Sequence, residues 1–358
     1  MLLLLLLHQR LRQLGTPDPM HDGSVRAGHT PARPYLKPWY RVAKGGDSTL
    51  FHFGRSMVAI REPGAGGLLR RLLPLLDGTR DLDHIAMEFP PDQRDSVFLS
   101  LGLMNSRQLL LDGPIEMSSS EGAGQTAEFL GAALGRPVHP NRVASAVARS
   151  IVGVIGSARA ATVAVDLLSK AGSHARSLGS DGWQPRALAD LTLLIAAPTA
   201  GEVERLAGVN RTCLDARVPW LQVLPFDGDC AIVGPIFVPW QTCCFECFQR
   251  RRNSNSTLAR FLRSFDGRSA TSPTAEPVEH LLAAFASLVA LRWLLSTEIE
   301  TPGRAYCVQF SSQVSFEAHT IYRVPRCAAC TTQFPAPAVR TIIPSGHARL
   351  ESGSGVQS

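Results

Sequence analysis

The sequence has little of what nucleic-acid recognition requires. Aromatic residues make up 7% of the 358 positions, and the 36 Lys and Arg residues do not form a long block. Because the formal net charge is +6, the chain is only mildly basic. This balance disfavours a nucleic-acid partner, whereas a modest excess of arginine suits an acidic peptide.

A secretory signal and a membrane span are also missing from the sequence. Residues 1–7 include a run of leucines, but no basic region precedes it and no Ala-x-Ala-like cleavage site follows it. The run is far shorter than the roughly 20 apolar residues that a membrane helix needs, and no other segment reaches that length. The eight cysteines do not form the framework of a secreted disulfide protein. The sequence therefore predicts a cytoplasmic protein without a membrane partner.

Stretches rich in Gly, Pro and Ser divide the sequence into two predicted domains. A disordered arm covers residues 1–32, and a linker covers residues 114–127. The first domain occupies residues 33–113 and the second occupies residues 128–334, with a flexible tail at 335–358. A chain of 358 residues that is 45% hydrophobic can supply both domains with a core.

Short apolar segments predict that the first domain is a winged helix. Three of them, separated by glycine-containing turns, predict a meander of strands over residues 39–60. Leucines at helical spacing follow at 68–76, and two more helical segments extend to residue 108. Three strands followed by three helices, within about 80 residues, suit a winged-helix (β3α3) domain.

The second domain alternates strands and helices. A buried, parallel-type strand at 150–156 is followed by a helix at 158–172, and a strand at 191–197 is followed by a helix at 199–216. This alternation predicts a doubly wound, Rossmann-like sheet. The predicted fold class is therefore α/β, with a winged helix ahead of a Rossmann-like domain.

Two Cys-x-x-Cys pairs are the strongest motif in the sequence. Cys244 and Cys247 form the first pair, and Cys327 and Cys330 form the second. Four thiolates complete a tetrahedral zinc site that leaves no position for water or substrate, so the predicted zinc is structural. Two unrelated reduced pairs or a disulfide are the alternative, and Cys243 can replace Cys244 at a spacing one residue longer.

The turn after the first strand of the second domain is a degenerate nucleotide loop. A phosphate loop needs glycines there, because the backbone approaches the phosphate closely. Gly156, Ala158 and Ala161 instead give the pattern G-x-A-x-x-A, with Arg159 as a charge partner for a phosphate. Asp181 is a candidate for the ribose hydroxyl, although an ordinary turn also explains it. The residues therefore favour a structural turn over an ATP site.

Further motifs lie at residues 33–38, 73–79, 209–213 and 233–235 and in the run Arg250-Arg251-Arg252. Together with the cysteine pairs and the strand before Gly156, they resemble the E1-like, ThiF-type family, which adenylates carboxylates. The narrower resemblance is to the E1-like proteins of thiazole/oxazole-modified peptide biosynthesis, over about residues 33–332. In that group the N-terminal winged helix is a precursor-peptide recognition element.

Several residues of this sequence differ from the pattern of an active adenylating enzyme of that family. Alanine and proline replace the aspartate expected after the strand at 191–197, and the expected arginine and lysine set is not recognisable. Cys213 and Cys230 are flanked by apolar residues, which indicates core positions rather than nucleophiles. No catalytic residue is therefore predicted, and ATP chemistry is not expected of this chain.

The resemblance implies that the winged helix binds the leader of a ribosomally synthesised precursor peptide. An extended leader can join the open edge of the three-stranded sheet, while its side chains enter a groove beside the third helix. The same positions are also expected in an ordinary winged-helix core. The predicted contacts are Met57, Val58, Ala59, Ile60 and Arg61 on the strand and Phe98, Leu101 and Asn105 on the helix.

The leading hypothesis is an adaptor that presents the precursor to a cyclodehydratase of the YcaO family, which forms azolines in bacteriocin-like biosynthesis. A flavin-dependent azoline dehydrogenase and a homodimer are left open as further partners. One alternative is an active ATP-dependent adenylating enzyme. The other is a winged-helix DNA-binding regulator, which is disfavoured because the third helix carries no cation between Arg94 and Arg107.

Overall fold

A computed structural model describes residues 30–61, 67–116, 121–133, 138–179, 184–255, 274–295, 302–310 and 313–331. Almost all of the predicted arm, the whole predicted tail and Asp181 lie outside the described residues. The chain divides into two compact units, Met1–Ala144 and Ser145–Ser358. The domain limits read from the sequence stay a prediction.

Two small antiparallel sheets form the β-structure of the first unit. Strand β1 (Pro34–Leu36) pairs with β5 (Leu110–Asp112). Strands β2 (Arg41–Gly45), β3 (Ser48–Phe53) and β4 (Ser56–Arg61) form a three-stranded sheet in the order β2-β3-β4. This is the meander that the sequence predicts, and β4 lies at its edge.

Glycines in the left-handed conformation make both tight turns of this meander. Gly46 has a φ of +61° between β2 and β3, and Gly54 has a φ of +61° between β3 and β4. A residue with a Cβ rarely adopts this conformation, which two-residue turns require. The turns fix the register, so that Phe51 lies opposite Val58 on the side of the sheet that faces the core.

Three helices follow the meander, namely α1 (Leu68–Leu72), α2 (Leu82–Met87) and α3 (Arg94–Ser106). Asp81 caps α2, because its side chain accepts a hydrogen bond from the N–H of His84. The helices share one core with the sheet, and its members include Phe51, Ile60, Leu69, Leu72, Ile85, Val97, Leu101 and Met104. The winged-helix assignment itself stays a prediction.

Helices α4 (Glu121–Ala133) and α5 (Pro140–Ala148) come next in the chain. The predicted linker at 114–127 therefore contains the start of a helix. Its glycines and serines weaken the helix signal, but Ala127 and Leu130 of α4 are buried. Burial of an apolar face stabilises a helix whose intrinsic propensity is low.

A seven-stranded mixed sheet forms the centre of the second unit. Its parallel strands are β6 (Ile151–Ile155), β7 (His174–Gly179), β8 (Leu193–Ala196) and β9 (Trp220–Leu224). Its antiparallel strands are β10 (Cys230–Phe237), β11 (Arg304–Gln309) and β12 (Ser315–Thr320). The order is β12-β11-β10-β9-β8-β6-β7. The predicted α/β class is confirmed, whereas the doubly wound pattern applies only to the parallel half.

Helices connect the parallel strands of this sheet. Helix α6 (Arg159–Lys170) joins β6 to β7, the short helix α7 (Pro185–Leu188) lies before β8, and α8 (Leu206–Ala216) joins β8 to β9. Because β7 and β8 flank β6 on opposite sides, the crossover direction reverses between β6 and β8. Doubly wound sheets bind ligands at such a switch point, beyond the carboxyl ends of the strands.

Two further helices complete the described part of the second unit, α9 (Phe245–Asn255) and α10 (Glu276–Leu295). By length and composition, α10 could cross a membrane, which the sequence analysis did not anticipate. It packs against α6, β9 and β10. Its buried side chains include Leu282, Ala286 and Val289, and a core helix passes the same test of length and composition.

Candidate functional site

The four cysteines of the two Cys-x-x-Cys pairs lie together in the second unit. Cys244 directly precedes α9, and Cys327 lies 83 residues further along the chain, after β12. The Sγ atoms of Cys244, Cys247, Cys327 and Cys330 lie within 4.8 Å of one another, and all four residues are buried. These residues are called the cysteine cluster. Cys243 is buried outside it, which favours Cys244 as the member of the first pair.

The spacing of the sulfur atoms fits a tetrahedral metal site. The Sγ–Sγ distances are 3.7 Å for Cys244–Cys247, 3.7 Å for Cys244–Cys327 and 3.6 Å for Cys247–Cys330. A tetrahedron with metal–sulfur bonds of about 2.3 Å has edges of about 3.8 Å. The cysteine cluster can therefore bind a metal ion such as zinc.

Hydrogen bonds from neighbouring groups hold the cysteine cluster in place. The N–H of Val324 donates to Cys247 Sγ at 3.4 Å, and Arg323 donates to the carbonyl oxygen of Cys330 at 2.7 Å. The pKa of Cys247 is lowered by hydrogen bonds with Cys244 and Cys330 and then by the Val324 N–H. These contacts favour the thiolate, which is the form that binds metal, and the Val324 N–H fixes the orientation of its sulfur.

Gly156, the first glycine of the degenerate loop, is required by the sheet itself. Its φ is +119°. A Cβ at this position would lie 2.0 Å from the carbonyl oxygen of Ala197, because the loop after β6 passes directly against the end of β8. Only a glycine fits this close approach. The packing of the sheet therefore accounts for a glycine at position 156, and no bound phosphate is needed to explain it.

Two carboxylates accept hydrogen bonds from groups that a phosphate loop would offer to a nucleotide. Glu279 Oε2 accepts from the N–H of Ala160 at 2.9 Å, in the first turn of α6. The hydroxyl of Ser157 donates to Glu202 Oε1 at 2.6 Å, and its N–H donates to Glu202 Oε2 at 3.3 Å. Since a helix N-terminus attracts anions, the chain supplies that negative charge from its own side chains.

The remaining residues of the degenerate loop are also engaged within the chain. Arg159 Nε lies 3.7 Å from Glu276 Oε1, and Ala158 and Ala161 are buried. The cavity lined by Gly156 has a volume of about 20 Å³, which is room for about one water molecule. Ligand sites occupy roughly 300–1,000 Å³. Among the described residues, the switch point between β6 and β8 is thus filled by protein.

Glu202 and Glu279 are the residues of this region that the sequence analysis missed. Glu202 forms a capping box with Thr199 at the start of the 3-10 helix Ala200–Arg205, and the pattern Thr-x-x-Glu is visible in the sequence. Glu279 lies 119 residues beyond Ala160, so no local pattern connects it to the loop.

We expect Glu202→Gln to lower the free energy of unfolding by about 1–2 kcal/mol at pH 7. Burial raises the pKa of Glu202, but hydrogen bonds from Ser157 and Thr199 outweigh it and hold the pKa below its ordinary value. Such a carboxylate stabilises the fold above its unfolded-state pKa, and this contribution is lost as the pH falls through the folded-state pKa.

Urea unfolding across pH measures this effect. The difference in free energy of unfolding between the wild type and Glu202→Gln should shrink progressively below about pH 4. Glu204→Gln, an exposed change on the same 3-10 helix, serves as the control and should change stability little at any pH. A Glu202→Gln deficit that is the same at pH 7 and pH 3 contradicts the assignment.

In the first unit, large apolar side chains are exposed on β4 and α3. Met57 on β4 is 64% exposed, and Phe98, Leu99 and Leu103 on α3 are 42%, 76% and 40% exposed. These four residues are called the β4–α3 surface; Met57 lies on the face of β4 opposite to Ile60, and the other three lie on α3. Large exposed apolar side chains are candidate contact positions for a partner.

The outer edge of β4 is open to a further strand. β4 pairs with β3 from Ser56 to Arg61. Within the described ranges of the first unit, no strand pairs with its other edge. Edge strands present N–H and C=O groups that can pair with another chain.

Among the predicted peptide contacts, the exposed ones are Met57, Ala59, Arg61 and Phe98, and the half-buried ones are Val58 and Asn105. The side chains of Ile60 and Leu101 are buried in the core of the first unit and are not accessible to a peptide, and the predicted peptide contacts as a set stay a prediction. On a strand, alternate residues face opposite sides, so Ile60 points away from Ala59 and Arg61. Leu99 and Leu103 are exposed apolar residues that the prediction missed.

The sequence matches no protein-family model and no curated protein. Among solved structures, the chain is similar to the heterocyclase TruD, with a TM-score of 0.65 and 19% identity over 84% of this chain and 43% of that one. It is also similar to a heterocyclase in complex with substrate and cofactor, with a TM-score of 0.61, 20% identity and coverage of 83% and 39%.

A third similar structure is that of MccB from E. coli. The TM-score is 0.57 and the identity 13%, over 84% of this chain and 97% of MccB. MccB has also been solved with ATP and with N-formylated MccA, as a microcin C7 biosynthetic enzyme. The chain thus spans less than half of the heterocyclases and nearly all of MccB. At these identities the likeness shows a shared fold.

Proposed function

We propose that this chain binds the leader of a ribosomally synthesised precursor peptide through its first unit. In this proposal it presents the peptide to a YcaO-family cyclodehydratase, which forms azolines with ATP, and performs no ATP chemistry itself. The heterocyclases that share its fold are more than twice as long as the matched part. In this proposal the azoline-forming chemistry belongs to the cyclodehydratase.

The observation that carries the proposal is the open edge of β4 together with the apolar side chains of the β4–α3 surface. A leader in extended conformation would add a strand to β4 through main-chain hydrogen bonds, which provide affinity for many sequences. Apolar leader side chains on one face would cover Leu99 and Phe98, and this burial provides selectivity. The apolar character of this surface also speaks against DNA, whose phosphates require cations.

The filled switch point supports the absence of ATP chemistry. A nucleotide would have to displace Glu202 and Glu279 from their hydrogen bonds with Ser157 and Ala160. Its phosphates would then face two carboxylates of the same sign of charge, which is unfavourable at short range. The loop of this chain therefore holds the strand and helix together instead of cradling phosphate.

The cysteine cluster has a structural role in this proposal, with zinc as its metal. Four buried thiols at tetrahedral spacing leave no open coordination position for substrate. A metal bound there ties α9 to the segment after β12, two parts of the chain that are far apart in sequence. It would stabilise the second unit without taking part in a reaction.

Calorimetry tests the proposal with the full chain and a synthetic leader from the Cys/Ser/Thr-rich peptide encoded nearest to it. We expect binding by the leader and by the whole precursor, and none by the modified core segment alone. Absence of binding by both leader and precursor contradicts the adaptor role.

The second candidate is an ATP-dependent adenylating enzyme, favoured by the fold shared with MccB, which has been solved with ATP. ATP–pyrophosphate exchange in the presence of the precursor separates the two. The adaptor proposal predicts exchange at the level of a protein-free blank. Exchange that depends on both this chain and the peptide would establish the enzyme instead.

A further inference from the structure

Two cysteines outside the cysteine cluster, Cys230 and Cys307, lie on adjacent antiparallel strands of the second unit. The register of β10 and β11 places Cys230 opposite Gln309 and Ile232 opposite Cys307. The two cysteines are therefore diagonal neighbours on the same face of the sheet. Both are free thiols, and each influences the ionisation of the other.

Both thiols line a cavity of about 540 Å³, together with Arg252 and His319. This volume falls in the range of roughly 300–1,000 Å³ that small-molecule sites occupy. Cys307 is half-buried, whereas Cys230 is buried. A small reagent that enters the cavity thus meets Cys307 more readily than Cys230.

The charges around the pair favour ionisation of Cys307. The interaction with Cys230 lowers the pKa of Cys307, burial opposes this, and His319 and Arg252 lower it further, while Glu317 raises it. The interaction with Cys307, burial and the charge of Asp227 raise the pKa of Cys230. The surroundings therefore favour ionisation of Cys307 over ionisation of Cys230.

The basic side chains beside the two thiols each lie against a carboxylate. Arg252 forms an ion pair with Asp227, and His319 Nε2 lies 3.5 Å from Glu317 Oε2. These contacts with Asp227 and Glu317 fix the positions of Arg252 and His319 beside the two thiols. Cysteines that are partly accessible and whose pKa is lowered are the reactive cysteines of proteins.

We propose that Cys307 and Cys230 form a redox-active dithiol that a small hydroperoxide oxidises to an intramolecular disulfide. The Cys307 thiolate attacks the terminal peroxide oxygen, the O–O bond breaks, and the alcohol or water leaves after protonation. This step leaves Cys307 as a sulfenic acid. Cys230 then attacks that sulfur, the S–O bond breaks, and water leaves as the disulfide forms. Two thiols are oxidised and one peroxide is reduced.

Peptide mapping of the full chain after treatment with hydrogen peroxide tests this proposal. We expect a disulfide between Cys230 and Cys307 that dithiothreitol reverses. Mapping distinguishes this pair from the cysteine cluster, which can also oxidise. Cys213, which is buried and has a pKa raised by burial to about 12, is the internal control and should stay unmodified. If peroxide leaves Cys307 and Cys230 as thiols under these conditions, the proposal is wrong.

Two variants separate the roles of the thiols. In Cys230→Ser, Cys307 should stop at the sulfenic acid, which dimedone traps. In Cys307→Ser, Cys230 should not react. Dimedone adducts on Cys307 of the wild type, without the disulfide, contradict the pairing.

Alkylation of the wild-type chain gives a second readout that does not require any variant to fold. At pH 7 we expect iodoacetamide to modify Cys307 at least about tenfold faster than Cys213, because Cys213 is fully buried and burial also raises its pKa, whereas only an accessible thiolate reacts. The rate at Cys307 should reach half of its maximum below the ordinary thiol pKa of about 8.5. Equal rates at the two cysteines overturn the proposal.

Discussion

Leu99→Glu should weaken binding of the precursor leader by about ten- to hundredfold. Leu99 is 76% exposed on α3, so glutamate is tolerated in the free chain. In the complex, however, the leader covers this position and the change loses about 1.5–3 kcal/mol of apolar burial, which corresponds to that change in Kd. Calorimetry or fluorescence anisotropy with a labelled leader measures the change.

Met87→Glu is the matched control for this prediction. Met87 is 66% exposed and lies on α2, outside the β4–α3 surface. The change introduces the same charge into the same unit and should leave the Kd within about twofold of the wild type, since surface changes away from a contact rarely exceed ±0.5 kcal/mol. If both variants bind the leader equally well, the leader does not dock on α3.

Cys244→Ser should remove bound zinc and lower the free energy of unfolding of the second unit by at least about 3 kcal/mol. A hydroxyl does not replace a thiolate in a closed zinc site, and the three remaining thiols stay buried around an incomplete set of ligands. Metal analysis of the purified chain, together with urea unfolding followed by circular dichroism, measures both effects.

The control for the cysteine cluster is Cys243→Ala. Cys243 is as buried as Cys244 but lies outside the cluster, so only a small cavity results. We expect a cost of about 1 kcal/mol and an unchanged zinc content. Loss of zinc in Cys243→Ala with retention in Cys244→Ser would assign the first ligand to Cys243. A Cys244→Ser chain of wild-type stability would remove the structural role of the cluster.

Local patterns in the sequence predict much of this fold. The turn glycines predict the meander β2-β3-β4, and the apolar runs predict β6 and β8 of the parallel half. The Cys-x-x-Cys spacing also predicts which cysteines form the cluster, because each pair fits one metal. These features depend on residues close together in the chain, or on a chemistry that few residue types perform.

Features that depend on distant contacts could not be predicted in this way. The hydrogen bond from Ala160 to Glu279 links residues 119 positions apart. The sequence alone therefore shows that the nucleotide loop is degenerate, but not that the Glu279 carboxylate binds to its N–H group. On α3, apolar residues alternate on both sides of the helix, and no single apolar face separates buried Leu101 from exposed Leu99. Only packing against the core decides which of them a peptide can reach.

Hydrogen–deuterium exchange of the full chain with saturating leader peptide tests whether the leader docks on β4 and α3. Docking there should slow amide exchange in β4 at residues 56–61 and in α3 at residues 94–106, because an added strand would protect the β4 edge and cover the helix. We expect no change in the loop at 156–161. Unchanged exchange in β4 and α3 while the leader is bound, with protection confined to the second unit, would contradict docking there.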